Sequence, residues 1–433
     1  MRCYRVLPTM LFCAAILAVF LGGGCGPSEG FRPIDAEHAV FWDRQTVESA
    51  ALLQEIAGDF NASWDGLPIK VERSGNYTEI YRKVTASIRA RTLPAMAVSY
   101  ESMTSEYIPT GAVVALDDFL AHPELGLSQE DLDDIFPEVL APNRFQEFDG
   151  KLYSFPFAKS VLLLYFNRSV LAEAGFDAPP ETWEAFLAQS RQIKERTGKH
   201  ALAMNVDCST ISGMIFSLGG SVIDGRETLF DRAETIQVFE LIEALVAEDL
   251  VYQITPGTYE DNVALANDQV AFTLRSSSGM SNVMRAMDDD RERWGVARIP
   301  QGNPDTPATV LYGPNVTLFN TTPEQQEAAW AFVRYFTDTE VGVRWAIETG
   351  YLPIRKSAIQ NPDLQAFWAE WEYNRVPYDS LAIARAEPNI AGWQQVRTLV
   401  EMAQTEVLTG MKSGRQAALD LKAAADAVLA RSH

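Results

Sequence analysis

Lys151–Phe186 reads KLYSFPFAKSVLLLYFNRSVLAEAGFDAPPETWEAF, and this stretch decides the fold. Tyr153 and the triplet Phe155-Pro156-Phe157 open it. The apolar run Val161 to Phe166 follows, and Asn167 leads into a helix over Val170–Ala174 that Gly175 stops. Pro156 fixes its own φ and pushes Phe155 toward an extended conformation. The reading is strand, break, buried strand, helix: a chain passing through a junction.

Upstream, His38–Asp43 (HAVFWD) reads as a short apolar strand. A helix follows with Leu53, Ile56, Ala57 and Phe60 at helical spacing. Ile69–Glu72 alternates as a strand, and Ser74-Gly75-Asn76 turns into a helix carrying Ile80, Val84 and Ile88 on one face. Pro94 ends it, and Ala95–Tyr100 (AMAVSY) is the next strand. The order β-α-β-α-β predicts a mostly parallel sheet with helices on its faces. In such sheets ligands gather at the carboxyl ends of strands, here Trp42-Asp43, Ser74–Tyr77 and Tyr100-Glu101. Downstream, helices are expected at Thr182–Glu195, Thr235–Glu248 and Glu327–Phe336. Strands are expected at Val270–Leu274, Trp294–Ile299 and Leu311–Phe319. The C-terminal part reads as helical, with Val396, Leu399, Val400, Ala403 and Val407 on one stripe.

At 433 residues the chain exceeds one compact core, so two lobes are expected. A net charge of −22 disfavours nucleic acid and anionic membrane surfaces as partners. The N-terminus reads as an export leader: Arg2 and Arg5, an apolar stretch from Met10 to Leu21, then Gly22-Gly23-Gly24-Cys25. That apolar stretch is shorter than the roughly 20 residues a spanning helix needs. A cysteine after small residues resembles the lipobox of bacterial lipoproteins, which assigns Cys25 as the lipidated residue of an exported protein held to the membrane by its anchor only. Leu21 sits four residues before Cys25, one further than the usual pattern. With Cys3 and Cys13 in the leader, Cys208 remains as a lone thiol and no internal disulfide is expected.

No catalytic signature appears. The four histidines (His38, His122, His200, His433) have no metal-ligand spacing, so no metal is expected. No nucleophile elbow, Walker A loop or strand-linked GxGxxG is present, and no cofactor is expected. Asp131–Asp134 and Asp288–Asp290 read as solvated caps and loops. Paired carboxylates for glycoside hydrolysis need only spatial proximity, so a secreted carbohydrate-active enzyme stays open as an alternative. In Thr349–Ile354 (TGYLPI) the glycine grants a turn, Pro353 stiffens the exit and Tyr351 is held between them. Such a tyrosine suits a polyol ligand, and equally a rim aromatic packed on the C-terminal helices.

The Lys151–Phe186 crossing, TGYLPI, Gly75–Tyr77 (GNY), Ser276–Asn282 (SSSGMSN) and Val396–Glu401 (VRTLVE) occur in an order that resembles the extracellular solute-binding proteins, the receptors of ABC importers. Within them the resemblance is nearest the glycerol-3-phosphate binders and their sugar-binding relatives. It implies a two-lobed periplasmic-binding-protein type II fold, each lobe a mixed, mostly parallel sheet flanked by helices and joined by a multi-strand hinge. The expected layout is a leader over 1–24, a tether over 25–36, an N-terminal lobe of 37–155 and 277–336, and a C-terminal lobe of 156–276 and 337–433. The chain would act as a monomer that captures its ligand and passes it to a membrane permease.

Ligand contacts implied by the resemblance are Trp42, Tyr77, Glu101, Ser160, Ser276, Gly313 and Tyr351. Lys159 and Arg275 add positive charge beside the two serines. Where glycerophosphate binders carry a phosphate arginine, this chain has Asn389, and the loop that carries stacking tryptophans there is Asn205–Ser209 here, without an aromatic. Both departures favour a sugar or short oligosaccharide over a small phosphorylated polyol. Trp393 is the candidate replacement stacking surface. A glycerol-3-phosphate or glycerophosphodiester ligand is the alternative within the family, and a sensor role in place of transport is a further one.

Overall fold

The computed structural model describes residues 30–45, 47–255 and 258–432; the expected leader and Cys25 lie outside them. The chain opens as β1 (Ala39–Asp43), α1 (Val47–Ser63), β2 (Ile69–Arg73), α2 (Tyr77–Ala90), β3 (Met96–Ser99) and α3 (Glu101–Tyr107). After a region of short helices come β4 (Phe155–Pro156) and β5 (Ser160–Asn167), then β6 (His200–Ala203), α4 (Cys208–Ser217), α5 (Ala233–Ala247) and β7 (Val251–Tyr252). Next are β8 (Val270–Ser276), α6 (Met280–Ala286), β9 (Trp294–Arg298), β10 (Thr309–Tyr312) and β11 (Asn315–Leu318). The chain closes with α7 (Pro323–Phe336), α8 (Thr339–Thr349), β12 (Ala384–Arg385), α9 (Trp393–Leu408) and α10 (Gly414–Leu429).

Two main sheets result. The first runs β2-β1-β3-β11-β4, with β1 parallel to β2 and β3, and β11 antiparallel to β3 and β4. The second runs β7-β6-β8-β5-β10-β12, with β9 also on β5. β5 is its spine. Residues 162–166 pair antiparallel with β8, residues 163–167 with β9, and residues 160–161 with β10. All eight residues of β5 are buried, which explains why its sequence reads as a continuous apolar run.

The junction expected at Phe155-Pro156-Phe157 is where β4 leaves the first sheet and β5 enters the second. A second strand crosses beside it in the opposite sense, from β10 through Gly313-Pro314 to β11. The two are bonded by the Ala158 N–H donating to the Pro314 carbonyl at 3.3 Å. Gly313 has φ +97°, and a Cβ there would lie 1.9 Å from the Ala158 carbonyl oxygen. Only glycine tolerates both the backbone angle and the approach. Leu352 adds a third strand to the junction through its N–H, 2.7 Å from the Lys159 carbonyl.

The expected lobe boundaries need correction. β9 and β10 lie within 277–336, yet both pair with β5 in the second sheet, so the return crossing is at Gly313-Pro314 and not at 276/277. Residues 337–355 stay with the first sheet's layer: Arg344 of α8 pairs with Glu55 and Asp59 of α1, and Arg355 pairs with Asp131. The chain rejoins the second sheet by Trp371 and Tyr373, which pack on Trp294 and Phe166. Nor is residue 32 part of a free tether, because Arg32–Pro33 pairs in parallel with Thr92–Leu93. Sheet membership depends on hydrogen bonds between distant residues, so apolar patterning located these strands without assigning them to a lobe.

Candidate functional site

A cavity of about 710 Å³ lies between the two sheets, at the carboxyl ends of β1 and β3 and beside the junction. That volume is within the range of about 300–1,000 Å³ usual for small-molecule sites. Its first-lobe wall comes from strand ends. Tyr77 is the first residue of α2, locked by a reciprocal cap in which Asn76 Oδ1 accepts from the Glu79 N–H at 3.0 Å and Glu79 Oε2 from the Asn76 N–H at 2.7 Å. Its ring packs on Tyr100 with centroids 4.3 Å apart. The Arg44 guanidinium sits 4.9 Å from the Tyr77 ring centroid. Tyr351, stacked on Trp345 at 5.9 Å, completes this wall and accepts a 3.4 Å hydrogen bond from Gln45 Nε2. Burial pushes the Tyr77 and Tyr100 phenols above their ordinary range, so both present neutral hydroxyls.

The second-lobe wall is a hydrogen-bonded frame. Ser276 Oγ donates to Ser160 Oγ at 2.8 Å across the β5–β8 pair, and the Ser276 carbonyl accepts from Tyr165 at 2.7 Å. Arg275 Nη1 lies 2.6 Å from Asp261 Oδ1 and 2.8 Å from Asn262 Oδ1. Asp207 caps α4, accepting from the Thr210 N–H at 2.8 Å, and also takes the Tyr312 hydroxyl. Behind them Arg397 of α9 is buried against Glu387, to which Ser209 also donates at 2.6 Å. The same guanidinium rests 4.6 Å from the Tyr100 ring centroid, so it links the second lobe to the first.

Of the residues singled out in the sequence, Tyr77, Ser160, Arg275, Ser276, Gly313 and Tyr351 line the cavity. Five do not. Trp42 points into the first lobe, with Nε1 3.3 Å from Glu72 and the Lys83 ammonium 3.7 Å from its ring centroid. Glu101 is buried and held by Lys159 Nζ at 3.3 Å, while Lys159 also donates to the Gly313 carbonyl at 3.1 Å. Lys159 is 1 % exposed, and burial pushes its ammonium below the usual lysine range against the pull of Glu101. The pair braces the junction, and Glu101 lines a small pocket adjoining the cavity with Tyr100, Tyr312 and Gly313. Asn389 donates to the backbone carbonyls of Pro142 and Arg144 at 2.8 and 2.9 Å, as a latch between lobes. Trp393 is fully buried against Phe230 in the second core and offers no stacking face.

Arg44, Asp207 and Tyr312 on the cavity wall were not among the expected contacts, and Tyr100 was named only as a strand end. The strand-end rule came within one residue of Arg44 and reached Tyr100, but the neighbours Trp42 and Glu101 were chosen. Asp43, between Trp42 and Arg44, is 2 % exposed and burial pushes its carboxyl up to about 6.

The chain belongs to the bacterial extracellular solute-binding proteins: the family model so described matches residues 55–372. Among curated relatives, the sn-glycerol-3-phosphate-binding periplasmic protein UgpB of Brucella abortus is 21% identical over 430 residues, covering 95% of this chain and 97% of the relative. UgpB from Mycobacterium tuberculosis, solved in complex with glycerophosphocholine, superposes with a TM-score of 0.81 at 20% identity, over 92% of this chain and 99% of that one. The GacH receptor of Streptomyces glaucescens, solved unliganded and with acarbose, gives 0.79 at 20% identity, over 93% and 100%. The fold is the two-lobed periplasmic-binding-protein type II fold. No helix among the described residues is long and apolar enough to cross a membrane.

Proposed function

We propose that this chain is the receptor of a bacterial ABC importer, which closes its lobes on a sugar or short oligosaccharide and presents it to the permease. The carrying observation is the cavity itself. About 710 Å³ of space between two hinged lobes is walled by tyrosine rings and hydroxyls on one side and by serine, threonine and asparagine side chains on the other. Flat faces and neutral hydroxyls that both donate and accept are what a polyhydroxylated ligand requires. A three-carbon polyol phosphate would leave most of that volume unfilled. The relatives support the class, since one is named for glycerol-3-phosphate binding and another was solved with acarbose.

In this reading the chain acts by binding alone; of the wall acids, Asp207 is engaged by Thr210 and Tyr312, Glu348 lies 3.4 Å from Arg344, and Asp289 is exposed to solvent. The chain works as a monomer, exported and tethered through lipid on Cys25. Ligand contacts from both lobes favour the closed form, which is what the permease reads. Calorimetry of the chain lacking residues 1–25 against neutral and acidic saccharides and glycerophosphates tests the reading, with small-angle scattering alongside. A saccharide that binds and contracts the molecule is the expected result. Tight binding of glycerol-3-phosphate with failure of every saccharide would overturn the ligand class, and labelling that bypasses Cys25 would overturn the anchor.

A further inference from the structure

Four arginines approach the cavity or its back wall, and their situations differ. Arg275 is tied to the fully buried Asp261, and Arg397 to Glu387. Arg285 donates to Asn282 at 3.4 Å and has a further partner. The Arg44 guanidinium has no hydrogen bond and no carboxylate within ion-pair distance among the described residues, and its Nε is buried without an acceptor. Its guanidinium sits among the tyrosines Tyr77, Tyr351 and Tyr100 on the first-lobe wall.

A buried guanidinium N–H without an acceptor is unfavourable until one arrives. The adjacent acid, Asp43, does not supply it in this structure: its Oδ2 accepts the Gln45 N–H at 2.5 Å, its Oδ1 is buried without a partner, and no ion pair with Arg44 forms. The acids on the cavity wall are placed elsewhere. Asp207 faces Tyr312 and Thr210, Glu348 faces Arg344, and Asp289 is exposed to solvent.

We infer that the ligand is an acidic saccharide whose carboxylate is held by Arg44 while its hydroxyls meet the tyrosine and serine walls. The inference rests on the saccharide reading above and narrows it. A planar guanidinium fork matches a carboxylate with two parallel hydrogen bonds. Charge count favours a carboxylate over a phosphate monoester, which carries about −1.5 to −2 at neutral pH and calls for more than one unpaired cation.

The test is calorimetry on the intact chain in mild detergent. The ligands are glucuronate, galacturonate and their disaccharides, the neutral parent sugars, and glycerol-3-phosphate, each against wild type, Arg44→Gln and Arg44→Lys. Uronates are expected to bind at least about tenfold tighter than their neutral parents. Arg44→Gln should erase that preference, and Arg44→Lys should restore part of it. Neutral sugars binding as tightly as uronates, or Arg44→Gln weakening both equally, would overturn the carboxylate while leaving the saccharide receptor intact. Glycerol-3-phosphate binding tighter than any uronate would overturn it in favour of phosphate. If no sugar of either kind binds, both readings fall together.

Discussion

On the second-lobe side of the cavity Arg275 is tied to the buried Asp261 and, behind the wall, Arg397 to Glu387, whereas on the first-lobe wall Arg44 sits among tyrosine rings without an ion-pair partner among the described residues. Buried charges that neutralise one another hold shape, because removing either strands the other in low dielectric. A charge without a partner contributes little to shape and much to what it meets. The second wall is thus a preorganised frame, and the first is the wall whose electrostatics a ligand completes.

That contrast breaks most visibly at Arg397. Arg397→Met leaves the Glu387 carboxylate buried without its cation and should cost about 3–5 kcal/mol in urea denaturation; a loss below about 1 kcal/mol would show that the second wall is not held by charge. Gly313→Ala attacks the junction joining the walls. With φ +97° and a Cβ 1.9 Å from a backbone oxygen, a loss of about 3 kcal/mol is expected by the same measurement.

Asp43, behind Arg44, supplies a pH-dependent case. Burial raises its folded carboxyl from 3.8 to about 6, so the folded state holds a proton that the unfolded state has released between those values. Its contribution to stability is therefore fully present below pH 4 and lost as pH rises through about 6. Asp43→Asn has no proton to lose. Its melting temperature should gain on wild type between pH 4 and pH 7, by an equivalent of up to about 3 kcal/mol; parallel melting curves across that range would contradict the burial argument. Arg44→Gln is the smallest effect, a change within about 1 kcal/mol of unliganded stability. A loss like that of Arg397→Met would erase the contrast between the walls.

The crossing strand and the Gly350-Tyr351-Leu352 turn were legible because each is local, a proline with an apolar run and a glycine turn, whereas Ser160 and Ser276 came from the resemblance. Trp42 and Glu101 were misplaced for one shared reason. Both sit at strand ends near the cavity, but facing requires knowing what lies behind each: Lys83 and Glu72 for the tryptophan, Lys159 for the glutamate. Trp393 was expected as a stacking surface, but Phe230, 163 positions earlier, packs on it inside the second core.

By itself the sequence determined the alternation of strands and helices and the buried run Val161–Phe166, because these follow from backbone sterics and apolar spacing along neighbouring residues. Only the tertiary structure decided which charges are paired and which is not. Pairing a carboxylate with a cation 58 positions away, as Glu101 with Lys159, depends on how two lobes meet. No local pattern encodes that distance.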